Sequence, residues 1–465
     1  MHSSISTGAR YIPEPETEAD VVRNDAHALT GSVDDFNDLL DAIGGANVVL
    51  IGEASHGTHD FYKKRAEITK RLVLEKGFSA ICVEGDWPDT LHVNRFIQQA
   101  AGAGAENVTS AYNALSAFQR FPTWMWRNSV VLDFIDWLHA HNMKHANYKV
   151  GFFGLDLYSL YTSMEATVKY LDRVDPTAAQ RARSRYGCFD LFEKDSQAYG
   201  YAASFGMTKA CEDEVIKQLV DLHKHSLQYE SVDGRGAMDE FFFAEQNARV
   251  VRNAERYYRS MFGSRIMSWN LRDKHMMETL GCIEEHYKRV GQRFKAIIWA
   301  HNSHLGDARA TEMGKSGELN LGQLVRDQYG GKSFLIGFST FTGTVTAASN
   351  WDGPAERKHV RRGLPGSYEA LFHDVGLPNG MKNFVVFLNK KTRAVELLRQ
   401  PRLQRAIGVI YLPQSERMSH YFSAQLSDQF DAIIHIDETR ALKPLDETTR
   451  WQTEEELPET YPTGL

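Results

Sequence analysis

No stretch of this 465-residue chain is apolar for long enough to cross a bilayer, and its first residues, Met1-His2-Ser3-Ser4-Ile5-Ser6, lack the apolar core of a signal peptide. Cysteine is scarce. Cys82, Cys188, Cys211 and Cys282 are scattered with no CxxC pair, which excludes a disulfide scaffold or zinc ribbon and reads as reduced thiols of a cytoplasmic protein. The net charge of -7, from 60 acidic and 53 basic residues, offers no footprint for nucleic acid or an anionic membrane. Several reaction signatures are also missing. Without GxSxG a serine nucleophile has no recognisable seat; HExxH is absent, and no GxGxxG follows the first strand. Gly314-Lys315-Ser316 and Gly331-Lys332-Ser333 resemble the end of a P-loop, but Arg309 and Arg326 replace the earlier glycine.

What is present is a repeated pattern at strand ends. Val48-Val49-Leu50-Ile51 reads as a strand buried on both faces, and Gly52-Glu53-Ala54-Ser55-His56 follows at once. Ser79 to Val83 leads into Glu84, Gly85 and Asp86; Val150 to Gly154 leads to Asp156; Ala296 to Ala300 runs into His301-Asn302-Ser303-His304. In open α/β sheets ligands bind outside the carboxyl ends of the strands. Parallel neighbours would therefore gather Glu53, His56, Glu84, Asp156, His301 and His304 at one edge. The helix from Asp60 to Lys76 adds a cation: Arg65 falls on its apolar stripe with Phe61, Ile68 and Leu72, and an inward guanidinium needs carboxylates, for which Glu53 and Glu84 are the nearest candidates.

The predicted fold is α/β, a mostly parallel central sheet flanked by helices, with a large all-helical insertion over the sheet rim. The expected divisions are a poorly ordered N-terminus over 1–28, a first half of the core over 29–158, the insertion over 159–291, a second half over 292–447 and an acidic tail over 448–465. Later strands are expected at Phe334 to Ile336, Phe384 to Phe387, Ile407 to Ile410 and Ile433 to Ile436. Arg272-Asp273 on the inserted helices reads as an ordinary surface pair.

Taken together, Gly52-Glu53-x-x-His56-Gly57-Thr58, Arg65, Glu84 after a strand, Asn94, Phe121 to Asn128 and His301-Asn302-x-His304 resemble the erythromycin esterase family. The resemblance implies an ester hydrolase of the macrolide esterase type, associated with antibiotic resistance, that opens lactones by metal-independent attack of water. It carries the base role to His56, the acidic positions to Glu53 and Glu84, the arginine to Arg65 and the paired histidines to His301 and His304. The residues agree with that chemistry. With no nucleophilic side chain, water must be activated by a base that suits neutral pH, and histidine is that side chain. Glu53 or Glu84 would hold the second ring nitrogen of His56, and His301 or His304 would donate to the oxyanion or protonate the leaving alkoxide. The expectation is an enzyme with no cofactor and no metal, taking a small-molecule ester or lactone. Two alternatives use the same letters: a metal-dependent hydrolase built on the His/Glu cluster, and a non-enzymatic binding protein for a bulky small molecule with the insertion as lid.

Overall fold

The apolar runs that end in ionisable residues lie side by side in one sheet. In this computed structural model, which describes residues 16–99, 108–145, 148–230 and 234–452, the sheet has eight strands. They are β1 (Ala26–Ala28), β2 (Val48–Ile51), β3 (Ala80–Asp86), β4 (Gly151–Asp156), β5 (Ala296–Trp299), β6 (Ser333–Ser339), then Asn383–Phe387 and Ala432–Ile436. Across the sheet the order is β1, Asn383–Phe387, Ala432–Ile436, β6, β2, β5, β3, β4. All pairings from Ala432–Ile436 to β4 are parallel, and Asn383–Phe387 runs antiparallel to both neighbours. Every residue of β2, β3, β4 and β5 is buried, which is why these strands read as apolar runs, broken only where β3 reaches Glu84 and Asp86 and β4 reaches Asp156. Ile51 of β2 sits beside Trp299 of β5 and Ile336 of β6, so the residues just past these strands emerge together.

Between β4 and β5 the described residues form helices and no strand, including Leu160–Val174, Glu212–Lys224, Gly234–Met261 and Arg265–Arg289. These helices share a core of their own around Leu171, Tyr199 and Val251. Cys188 and Cys211 are joined there as a disulfide, which corrects the expectation of four reduced thiols; Cys82 and Cys282 are free. None of the described helices is long and apolar enough to cross a membrane.

Two other expectations are corrected. Residues 16–28 carry a helix, Glu18–Arg23, closed by a capping box from Thr17 and Asp20, and the edge strand β1. Val21 and Val22 are buried where this helix packs on the helices Tyr368–Gly376 and Arg393–Leu398, so the segment has apolar surface enough to order it. Residues 1–15 and 453–465 lie outside the described residues. Ile407 to Ile410 is not a strand of the sheet. Its apolar character serves a different contact: Ile407 N–H donates to the Ala54 carbonyl at 2.9 Å, and the Ile407 carbonyl accepts from His56 N–H at 3.3 Å. This run clamps the Glu53–His56 loop from one side.

Gly57 lets the other side close. Its carbonyl accepts from Thr346 N–H at 2.9 Å and Leu442 N–H at 2.8 Å, and a Cβ there would lie 1.7 Å from the Thr346 carbonyl oxygen. Backbone cannot yield as a side-chain tip can. Gly57→Ala should therefore destabilise the fold by about 3 kcal/mol, the upper end of ordinary overpacking. Urea unfolding checks this, and an unchanged midpoint would contradict the close approach.

Candidate functional site

Past the end of β2 the chain turns back on itself, which brings Glu53 and His56 into contact. His56 Nδ1 is 2.9 Å from Glu53 Oε1, and the other oxygen of Glu53 forms a 2.8 Å ion pair with Arg65 Nη2. Arg65 is 1% exposed, its guanidinium stacked between the rings of Tyr62 and Trp299 at 4.2 and 5.1 Å. Arg65 thus faces inward and pairs with Glu53, not Glu84. The His56 ring lines a cavity of about 180 Å³ that Glu84, Asp86, Arg120, Trp126 and Arg272 also line.

Glu84, within β3, is the hub of a second network. Its Oε2 accepts the His301 backbone N–H at 2.9 Å, and its Oε1 accepts Arg272 Nη2 at 2.7 Å. Arg272 also forks onto Asp156, with Nε to Oδ1 at 3.0 Å and Nη2 to Oδ2 at 2.6 Å. Burial opposes ionisation of Glu84, yet His304, Arg272, His56 and the His301 N–H together hold its carboxyl well below the usual carboxylate range. Asp156 is lowered as well, chiefly by Arg272 against its burial.

The paired histidines have different environments. His301 Nδ1 accepts the Ser303 N–H at 3.2 Å and lies 2.8 Å from the Ser303 hydroxyl, so Nε2 carries the hydrogen of the neutral ring. That Nε2 is buried with no hydrogen-bond partner, and the ring lies 4.9 Å from that of His56. Burial, then His56, pushes His301 down to about 3, so it is neutral at working pH. His304 stacks on Trp269 and gives Nδ1 to both oxygens of Asp273 at 3.0 Å. Its Nε2 sits between an Arg272 N–H at 2.9 Å and Glu84 Oε1 at 3.5 Å. Neutral, the ring accepts from Arg272; protonated, it donates to Glu84. Although burial works against the charge, Asp273 and Glu84 raise the proton affinity of His304 above that of an ordinary histidine.

Asn302, between them, ties three strand ends together. Its N–H donates to the Glu53 carbonyl at 2.8 Å, and its side chain bonds the Phe338 backbone through both Nδ2 and Oδ1. Asn94 and Thr90, on the helix Trp87–Gln98, brace β4 by accepting the Phe152 and Gly154 N–H groups.

The structure thus brings Glu53, His56, Arg65, Glu84, His301 and His304 together. It also corrects the reading of Arg272-Asp273 as a surface pair: Asp273 is fully buried and Arg272 nearly so. The signal was available, because Asp273 falls on the helical stripe of Trp269, Met276, Leu280 and Ile283, the pattern that singled out Arg65. A serine, histidine and aspartate do line up elsewhere, Ser339 Oγ to His435 Nδ1 at 2.9 Å and His435 Nε2 to Asp437 at 3.4 Å. His435 is fully buried and Ser339 nearly so, leaving substrate no approach to that hydroxyl.

Comparison with known proteins follows the same lines. The chain is 21% identical to the putative hydrolase YbfO of Bacillus subtilis, covering 94% of both chains, and 20% identical to erythromycin esterase type II of Escherichia coli, covering 87% of this chain and 93% of that one. A Bacillus cereus protein of known crystal structure superposes with a TM-score of 0.71 at 21% identity, over 92% of this chain and 98% of the other. A mutant of the erythromycin esterase EreC in its open conformation superposes with a TM-score of 0.63 at 17% identity, over 90% and 96%. The model of the erythromycin esterase family matches residues 73–439, which include Glu84, Asp156, Arg272, Asp273 and both paired histidines, and the chain belongs to that family of hydrolases.

Proposed function

We propose that this protein hydrolyses a carboxylic ester or lactone by direct attack of water, with His56 as general base. The observation that carries the reading is the Glu53–His56 pair opening onto a cavity, with the unpartnered His301 Nε2 beside it. With Nδ1–H given to Glu53, the His56 tautomer is fixed and Nε2 is left to take a proton from water; the carboxylate then stabilises the imidazolium that results. Arg65 pairs with the other oxygen of Glu53 and so fixes the carboxylate in place for that task. A neutral His301 Nε2–H, desolvated and with only the Ala54 backbone near it and no full hydrogen bond, is suited to the oxyanion of the tetrahedral intermediate. His304 has both nitrogens engaged, Nδ1 with Asp273 and Nε2 with Arg272 and Glu84, and braces that network; the proton that His56 takes from water is the one that His56 returns to the leaving oxygen.

The cavity of about 180 Å³ accommodates the reacting ester end, and an adjoining chamber of about 720 Å³ gives room for the remainder. A macrolide lactone is one candidate of that size, supported by the resemblance to the Escherichia coli esterase. A hydrolysis screen over macrolides, smaller lactones and simple esters, read by mass for the gain of one water, tests the class.

Three outcomes are expected. His56→Asn should lower turnover by about a hundred- to ten-thousand-fold with thermal unfolding nearly unchanged, and a variant retaining most activity would remove the base assignment. Dialysis against a strong chelator should leave turnover intact, since the proposed steps use only protein groups; loss on chelation and recovery with zinc or manganese would favour a metal hydrolase. Arg272→Gln should cost about 3–5 kcal/mol at neutral pH, because it strands two buried carboxylates. Glu84 and Asp156 have lowered folded-state values, so their contribution is present above the unfolded carboxyl range near pH 4 and is lost as pH falls through the folded values. The difference between Arg272→Gln and the wild type should therefore shrink on acidification, and a gap that widens toward acid would contradict the clamp.

A further inference from the structure

The catalytic cavity and the larger chamber share one wall, made of Asp86, Asp89, Arg120 and Tyr158. Asp86 and Asp89 begin the helix Trp87–Gln98, where carboxylates ordinarily cap free N–H groups. Here Asp86 makes no capping bond. It is 4% exposed; its Oδ2 takes Arg120 Nε at 2.7 Å, and its Oδ1 is buried with no hydrogen-bond partner. Arg120 spends Nη1 on the Phe121 carbonyl and lies over the Tyr158 ring at 4.6 Å, with Arg272 over the same ring at 4.9 Å. Arg120 thus bonds Asp86 and acts on Asp89 only through space, and one oxygen of Asp86, a residue that lines both cavities, is left unsatisfied.

We propose that Asp86 and Asp89 form a subsite for a protonated amine carried by the substrate, on the wall between the reacting ester and the chamber. The identity of the reacting group rests on the esterase reading; the subsite does not. The other ionisable groups facing the pair are Asp156 at the end of β4 and Tyr158 just past it, His92 three residues after Asp89 on the helix Trp87–Gln98, Tyr161 of Leu160–Val174, Tyr258 of Gly234–Met261, Arg272 of Arg265–Arg289, and His56 and Glu84 across the cavity. Glu84 and Asp156 both bond Arg272 directly, and burial raises all three phenols so that they stay neutral. Lys194, at the chamber, is paired with Glu165. Of these carboxyls Asp89 is the one with no direct bond to a guanidinium, and it stands next to Asp86, whose Oδ1 has no partner. In the unliganded protein a proton supplies the balance: burial, then Asp86, pushes the Asp89 carboxyl up to about 8, with Arg120 offsetting only part. An ammonium group offers three N–H donors, enough for Asp86 Oδ1 and the Asp89 carboxylate, and would displace that proton to solvent.

Calorimetry on the full chain bearing His56→Asn tests this without turnover. The probe is hexylammonium chloride, compared with hexan-1-ol and with sodium chloride at equal ionic strength, in two buffers of different ionisation heat. Hexylammonium should bind roughly tenfold or more tighter than hexan-1-ol. It should release close to one proton at about pH 7 and none at about pH 9.5, where Asp89 is already ionised. Asp89→Asn should abolish both the release and the preference, and Asp89→Glu should restore them. Equal affinity for amine and alcohol, or proton release that survives Asp89→Asn, overturns the subsite. A chain that hydrolyses no ester in the screen yet binds hexylammonium with proton release keeps the subsite and loses the esterase reading.

Discussion

Carboxylates gathered at the end of a parallel sheet repel one another, and burying them multiplies the cost. Strands alone cannot relieve it, because the strand ends here supply mainly acids and imidazoles. The cations come from outside the sheet: Arg65 from the helix that follows β2, Arg120 from a loop, and Arg272 from the last helix of the insertion. Arg272 is decisive because one planar fork reaches Glu84, Asp156 and His304 at once, a geometry that a lysine cannot supply. The same contacts seat the inserted helices on the sheet rim. Docking of the insertion and ionisation of the site are therefore one interaction seen from two sides.

The two histidines of His301-Asn302-x-His304 show how little separation is needed to divide roles. Three residues apart, one is driven toward the neutral form and the other toward the charged one. The difference is not depth, since both are buried. His301 has a serine and another imidazole for company, whereas His304 has two carboxylates. One short turn thereby sets a neutral ring beside His56 and a charge-favouring ring beside Glu84.

Most of the sheet was legible because strands buried on both faces leave a plain apolar mark, and the residues that follow them share an edge by topology alone. Glu53, His56, Glu84, His301 and His304 were found that way. Ile407 to Ile410 misled because a short apolar run does not say whether it joins a ladder or pins a loop, and Gly408 sits inside it. Arg272-Asp273 was missed because adjacent opposite charges on a helix suggest a solvated face, although Asp273 lies on the buried stripe. The N-terminal helix escaped because six residues carry too little periodicity to stand out. The pairing of Cys188 with Cys211 lay beyond reach too: a spacing of 23 residues carries no pairing rule.

The loop bearing Glu53 and His56 owes its shape to backbone partners that come far later in the chain, Thr346, Ile407 and Leu442. Such contacts close only after long loops have been ordered, so they form late in folding. On the ribosome, every charged residue of the site is already made when His304 is added, yet His56 lacks its clamps until residue 442 has emerged. The nascent chain is therefore a hydrolase in composition before it is one in geometry, and hydrolytic competence arrives with the last strands.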